Sequence, residues 1–259
     1  MWIDSHCHMD NVLLSHNSQK VISACITEGV ENIIIPSIGK ENFDKVIKIS
    51  SKYKQCAYAL GFHPMYLSGF EDGDLDLLEH YLIKNDAVAV GEIGLDLFVK
   101  NNNQSLQEDI FLSQLKIAKK FDLPVIMHVR GAIDLVLKNL RKIKVRGGIA
   151  HAFNGSFQQA DQLIQLGFKL GFGGAMTYPR SKHIQALAKN LPIEAIVLET
   201  DSPDMPPEWL GNNENNQPKE LVRIAEFFCY LRGLEPSKTA DIIRVNTIEA
   251  IPKLGELCT

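Results

Sequence analysis

Pro124-Val125-Ile126-Met127-His128 is a short apolar run that ends on a histidine, and its setting decides the fold. Before it, Ser105 to Phe121 places Ile110, Leu112, Leu115, Ile117 and Ala118 at helical spacings, and after it Ile133 to Leu140 repeats that spacing. A buried strand between two amphipathic helices is the unit of a parallel α/β sheet. Moving outward, the unit recurs in both directions. Toward the C-terminus, Gly147-Gly148-Ile149-Ala150 leads to His151, Phe157 to Leu166 predicts a helix stopped by Gly167, and Lys169 to Phe172 a strand. Ile184 to Leu191 then precedes Ala195 to Leu198, which runs into Glu199-Thr200-Asp201, and Lys219 to Leu231 predicts the eighth helix.

Toward the N-terminus, Asp74 to Lys84 precedes Ala87-Val88-Ala89-Val90, which enters Gly91-Glu92. Glu41 to Tyr53 precedes the strand Cys56 to Gly61, which ends at His63-Pro64. Gln19 to Glu28 precedes Ile33-Ile34-Ile35, and the chain opens on Trp2-Ile3-Asp4-Ser5-His6-Cys7-His8. On a strand, His6 and His8 share a face and Cys7 turns away from it toward the core. Eight strands alternating with eight helices predict a single α/β domain over 1–259, a closed (β/α)8 TIM barrel. Short extra helices follow near Ser237 to Arg244 and Thr247 to Leu254. The length of 259 residues matches the barrel's usual size of about 250. Asn101 to Asn103 and Gly211 to Pro218 read as polar loops.

Composition narrows the class. An apolar share of 45% and a charged share of 22% are those of a globular protein, and no apolar run approaches the ~20 residues that cross a bilayer. The expectation is a cytoplasmic protein with no membrane association and no obligate protein partner. Five cysteines, at 7, 25, 56, 229 and 258, show no disulfide or knuckle spacing and should be reduced thiols. A net charge of −4 argues against coating DNA through a broad basic face, though not against a small nucleic-acid site neutralised locally by metal.

The ionisable residues gather where strands end. His6 and His8 follow the first strand, His63 the third, Glu92 the fourth, His128 the fifth, His151 the sixth, and Glu199 and Asp201 the eighth. In a parallel barrel these ends form the rim that carries catalysis. The remaining histidines, His16, His80 and His183, read as surface residues. Imidazoles and carboxylates without a thiolate cluster suit a catalytic divalent ion rather than a structural zinc. They are too many for one ion with an open position, but two ions roughly 3.5–4 Å apart would use them all. Asp96 is placed either to orient a ligand or to cap, and Arg130 either to bind phosphate or to pair with Asp134. Tyr178-Pro179-Arg180 follows the seventh strand, where Arg180 could meet substrate.

Asp4-Ser5-His6-Cys7-His8, Gly91-Glu92-Ile93-Gly94-Leu95-Asp96, Pro124 to His128, His151-Ala152-Phe153 and Leu198-Glu199-Thr200-Asp201-Ser202-Pro203 resemble, in order, the signature blocks of the TatD family of metal-dependent deoxyribonucleases in the amidohydrolase superfamily. The resemblance implies phosphodiester hydrolysis in DNA, possible trimming from the 3′ end, and two divalent ions: zinc, manganese, magnesium, cobalt or nickel. It implies His6, His8, Glu92 and Asp201 as ligands of one ion, Glu92 as a bridge, and His128 and His151 as ligands of the other. Asp201, Glu92 and Glu199 are the expected catalytic carboxylates, while His63, Asp96, Arg130 and Arg180 are expected around them or at the substrate. Met65 stands where the family often has a second histidine, and Asn216-Gln217-Pro218 where it has Asn-Glu-Pro, which bears on substrate rather than on the ligands. The alternatives are a lactonase or deacylase on the same scaffold and a metal-holding interaction module without turnover. Relatives of the former kind often bridge their metals through a carbamylated lysine on the fourth strand, where this chain has Glu92.

Overall fold

The computed structural model describes residues 1–15, 18–99, 103–211 and 214–257. Eight parallel strands run in sequence order around one sheet. They are β1 (Trp2–Asp4), β2 (Val30–Pro36), β3 (Cys56–Leu60), β4 (Ala89–Asp96), β5 (Val125–Arg130), β6 (Gly148–Ala150), β7 (Phe168–Phe172) and β8 (Ile196–Leu198). The ring closes between the last strand and the first: Ser5 N donates to Leu198 O at 3.1 Å, and Asp201 N to His6 O at 2.9 Å. Closure leaves no long free edge, which a sheet otherwise exposes to foreign strands.

Helices α1 (Met9–Ser15), α2 (Ser18–Glu28), α3 (Phe43–Lys52), α4 (Asp74–Lys84), α5 (Gln104–Lys120), α6 (Ile133–Lys142), α7 (Phe157–Gln165), α8 (Lys182–Asn190) and α9 (Leu221–Arg232) form the outer layer. The α1 helix is absent from the sequence reading: too short to show a period, it is held by buried Met9 and Val12 directly after His8. The two short C-terminal helices expected there are instead one continuous helix, α10 (Pro236–Ala250), followed by a single turn, α11 (Leu254–Leu257). Asn246, a poor helix former, is kept helical by bonds from its Nδ2 to Ile193 O and Ile196 O.

Two apolar regions result. The larger lies between strands and helices. The smaller fills the barrel with Ile3, Ile34, Ala57, Ala59, Ala89, Ile126, Ile149 and Val197, and is floored by Ala250, Ile251 and Leu254 from the end of α10 and from α11. Because side chains alternate along a strand, inward Ile126 places His128 on the same inner face, two residues nearer the rim. The β4 strand needs a device to do likewise. Ala89 points inward, so strict alternation would send Glu92 out into the helical layer. Between Val90 and Ile93 the register with β5 slips by one residue, and beyond it Ile93 and Leu95 face the outer core. This bulge inverts the phase and turns Glu92, Gly94 and Asp96 inward. A Cβ on Gly94 would stand 1.9 Å from His128 O, so β4 and β5 approach this closely only with glycine there.

Candidate metal centre

The rim side chains converge on Glu92, which is 1% exposed. Its Oε2 stands 3.1 Å from His6 Nε2 and 3.5 Å from His8 Nε2, and both of these nitrogens are 3.6 Å from Asp201 Oδ1. Its Oε1 lies 2.9 Å from His151 Nε2, 3.1 Å from His128 Nδ1 and 3.2 Å from His63 Nε2. One carboxylate therefore faces two groups of donors through different oxygens. Three sets of donor atoms come close enough to surround an ion: His6, His8 and Asp201; His6, Glu92 and His151; and His63, Glu92 and His128. Glu92 and His128 lie within β4 and β5 rather than just beyond them, because both strands run further than the apolar runs suggested. His63 sits nearer the centre than a purely outer role requires.

A supporting layer fixes these groups. Asp96 Oδ2 is 3.0 Å from His128 Nε2, which aims the other ring nitrogen at Glu92. Its Oδ1 accepts from Phe98 N at 2.8 Å, so Asp96 both orients the His128 ring and caps the turn. Glu199 Oε1 accepts from Ala152 N at 2.6 Å and lies 3.6 Å from His151 Nδ1. Gly171 makes room for that carboxylate, since a Cβ there would meet Glu199 Oε2 at 2.2 Å. Asp201 and Ala152 adopt left-handed backbone, φ +54 and +46, which aspartate tolerates better than most residues. Asn216, expected in a polar loop, is buried and donates to Thr200 O and Asp204 O, tying that loop to the end of β8.

The electrostatics fit a cation. Burial pulls His6 down to about 3, helped by His151, so its imidazole is neutral and free to donate an electron pair. Burial likewise lowers His63. Burial opposes ionisation of Glu92, but His63, His6 and His151 outweigh it and hold the carboxyl well below its ordinary value. Burial also disfavours protonation of His151 and His128; Glu92 with Glu199, and Asp96 with Glu92, reverse this and raise both rings. Burial lifts Asp201 to about 6. His6 Nε2 and Glu92 Oε2 are buried without a hydrogen bond of good geometry despite their proximity. Buried nitrogen and oxygen atoms left in this condition are what a divalent ion satisfies, and its binding would displace protons held by the histidines. The candidate donors fit such ions, all of them nitrogen or oxygen.

The remaining expected residues fall further out. Arg130 is exposed with its guanidinium 4.9 Å above the Phe98 ring, and Asp134 instead accepts from Gln159, so the Arg130–Asp134 pair does not form. Arg180 is exposed and lies over Tyr178, whose hydroxyl donates to Pro206 O, and it is not among the side chains meeting at Glu92. Cys7 is buried and turned from the histidines, its Sγ 3.8 Å from Ser202 O. His80 and His183 are exposed; His16 lies outside the described residues. Tyr66 and Phe98 escaped the sequence reading. Both are exposed aromatics, and the Tyr66 ring centroid lies 5.4 Å from that of His63. Among the described residues no helix is long and apolar enough to cross a membrane.

A parallel eight-stranded barrel with imidazoles and carboxylates gathered at one rim defines a metal-dependent hydrolase of the barrel type. The chain belongs to the TatD family: the family model for TatD-related DNases matches residues 3–252. It is 37% identical over 249 residues to the metal-dependent hydrolase YjjV of Escherichia coli, covering 95% of this chain and 96% of that protein. A Danio rerio relative provisionally named a deoxyribonuclease is 27% identical over 265 residues, covering 98% of each. Among solved structures, the TatD homologue YjjV of Escherichia coli superposes with a TM-score of 0.92 at 36% identity, covering 97% of this chain and 98% of that one. A TatD-family hydrolase from Entamoeba histolytica gives 0.84 at 20% identity over 96% and 97%, a likeness of fold.

Proposed function

We propose that this protein hydrolyses phosphodiester bonds in DNA at a centre holding two divalent ions. The observation that carries this reading is the division of Glu92: Oε2 toward His6 and His8, Oε1 toward His63, His128 and His151. A carboxylate shared in this way is a bridge between two ligand sets, with Asp201 completing the first. The deoxyribonuclease name of the Danio rerio relative supports the choice of substrate.

When bound, the ions supply Lewis acidity to the phosphoryl group and to the attacking water. The chain's own residues do the rest. Asp201, whose Oδ1 stands 3.6 Å from both His6 Nε2 and His8 Nε2, is placed to take the water's proton. Glu199 and Asp96 fix the ring orientations of His151 and His128, and the barrel core beneath holds the whole set in place. The test is hydrolysis of single-stranded oligonucleotides before and after thorough chelation. Activity should vanish with the chelator and return with manganese, magnesium or zinc. Cleavage that survives chelation overturns the mechanism, and metal-restored hydrolysis of lactones alone overturns the substrate.

A further inference from the structure

Beside the ligands stands an exposed aromatic that the metal chemistry does not use. Phe98 begins the loop after β4 and remains 66% exposed, yet it is fixed on several sides. Its backbone N–H is held by Asp96, whose other oxygen orients His128. The Cε2 edge of its ring lies against Gly131, where a Cβ would approach to 2.7 Å. The Arg130 guanidinium covers one face.

Arg130 forms no ion pair among the described residues, and Phe98 contributes nothing to the apolar core. An aromatic ring open to water costs hydration free energy that burial would recover, so a ligand that covers it recovers that free energy. The Arg130 guanidinium on the same ring, which feels the Asp96 charge but makes no close ion pair with it among the described residues, adds a donor fork shaped for phosphate. A flat ring with an adjacent phosphate describes a nucleotide whose base is unpaired, since a base stacked within a duplex has no free face to offer.

We propose that Phe98 and Arg130 form a nucleotide subsite beside the metal centre, Phe98 stacking one unpaired base and Arg130 contacting a phosphate of the same strand. This rests on the nuclease reading for its substrate and adds the residues that hold it. Gly131 is the positioning element, because any side chain there would displace the Phe98 ring.

The test measures binding apart from turnover. Fluorescein-labelled octathymidylate with phosphorothioate linkages is titrated by anisotropy against the metal-loaded protein, alongside an oligomer of abasic deoxyribose phosphates of equal length. F98A should weaken binding of the thymidylate by about tenfold or more, and F98W should restore it. For the abasic oligomer, the wild type and F98A should differ less than twofold. R130Q should weaken both oligomers and reduce the slope of log affinity against log salt by about 0.7, the loss of one phosphate contact on a single strand. Equal losses on both oligomers in F98A, unrescued by tryptophan, would make Phe98 a structural residue and overturn the subsite. Hydrolysis of DNA with F98A binding like the wild type removes the subsite and leaves the nuclease reading standing. Phe98-dependent binding by a protein that cleaves no nucleic acid does the reverse, and absence of both removes both.

Discussion

Thr200 Oγ1 donates to Asp4 Oδ2 at 2.6 Å and Thr200 N to Asp4 Oδ1 at 3.0 Å, joining β1 to the end of β8 at the point where the ring closes. Both residues are fully buried, so water cannot replace a lost partner. T200V should therefore destabilise the protein by about 1–3 kcal/mol, the cost of stranding a buried polar group. T200S should recover most of it. Urea unfolding with an unchanged m-value reads the difference, and a T200V midpoint equal to the wild type would show that this bond contributes nothing.

Gly171 is small because Glu199 occupies the space beside it. G171A must push the Glu199 carboxylate away from Ala152 N and His151 Nδ1, or move β7 itself. Turnover should fall by about 10–100-fold, the usual effect of disturbing a group that orients a ligand. Activity within twofold of the wild type would mean that Glu199 does not position His151.

Asp96 offers a sharper test of ligand orientation, because it reads on metal rather than on substrate. D96N keeps the shape of the side chain but removes the charge facing His128 Nε2. Its affinity for manganese should drop by about 10–100-fold, measured by titration of the stripped protein. H183A, whose ring is exposed and meets Gly155 O, is the control and should bind as the wild type. Equal affinities in D96N and H183A would sink the assignment.

Far from the centre, Glu235 caps α10 by accepting from Ser237 N, Lys238 N and Ser237 Oγ. Those bonds, led by the Ser237 hydroxyl, hold its carboxyl at about 2, below the ordinary 4.5. A depressed folded-state value means that the charged cap stabilises the fold fully above about pH 4.5 and ceases to do so as pH falls toward 2. The gap in stability between wild type and E235A should thus be constant from neutral pH down to mild acid and close below it. A gap that widens on acidification would contradict the sign.

Much of this was legible in the sequence because a parallel barrel writes its rim into the chain: an apolar run stops and a histidine follows, as at Met127-His128 and Ala150-His151. What was not legible depends on partners remote in sequence. The inward turn of Glu92 comes from a one-residue slip against β5 that no run of residue types displays. Asp4 and Thr200 are 196 positions apart, and neither announces the other. The break expected near Thr247 followed local propensity, whereas bonds from Asn246 to Ile193 and Ile196 keep the helix running. Phe98 carried no signal in the sequence, since only the fold brings Arg130 across it.

The floor of the barrel and its closing seam also set an order of assembly. Ser5 has no strand partner until Leu198 exists, and the inner core stays open beneath until Ile251 and Leu254 arrive. Joining such distant segments carries the entropy of closing a long loop, which local helices do not incur. A ribosome therefore synthesises more than three quarters of the chain before His6 and His8 can face Asp201, so the candidate metal centre is completed late in the nascent protein.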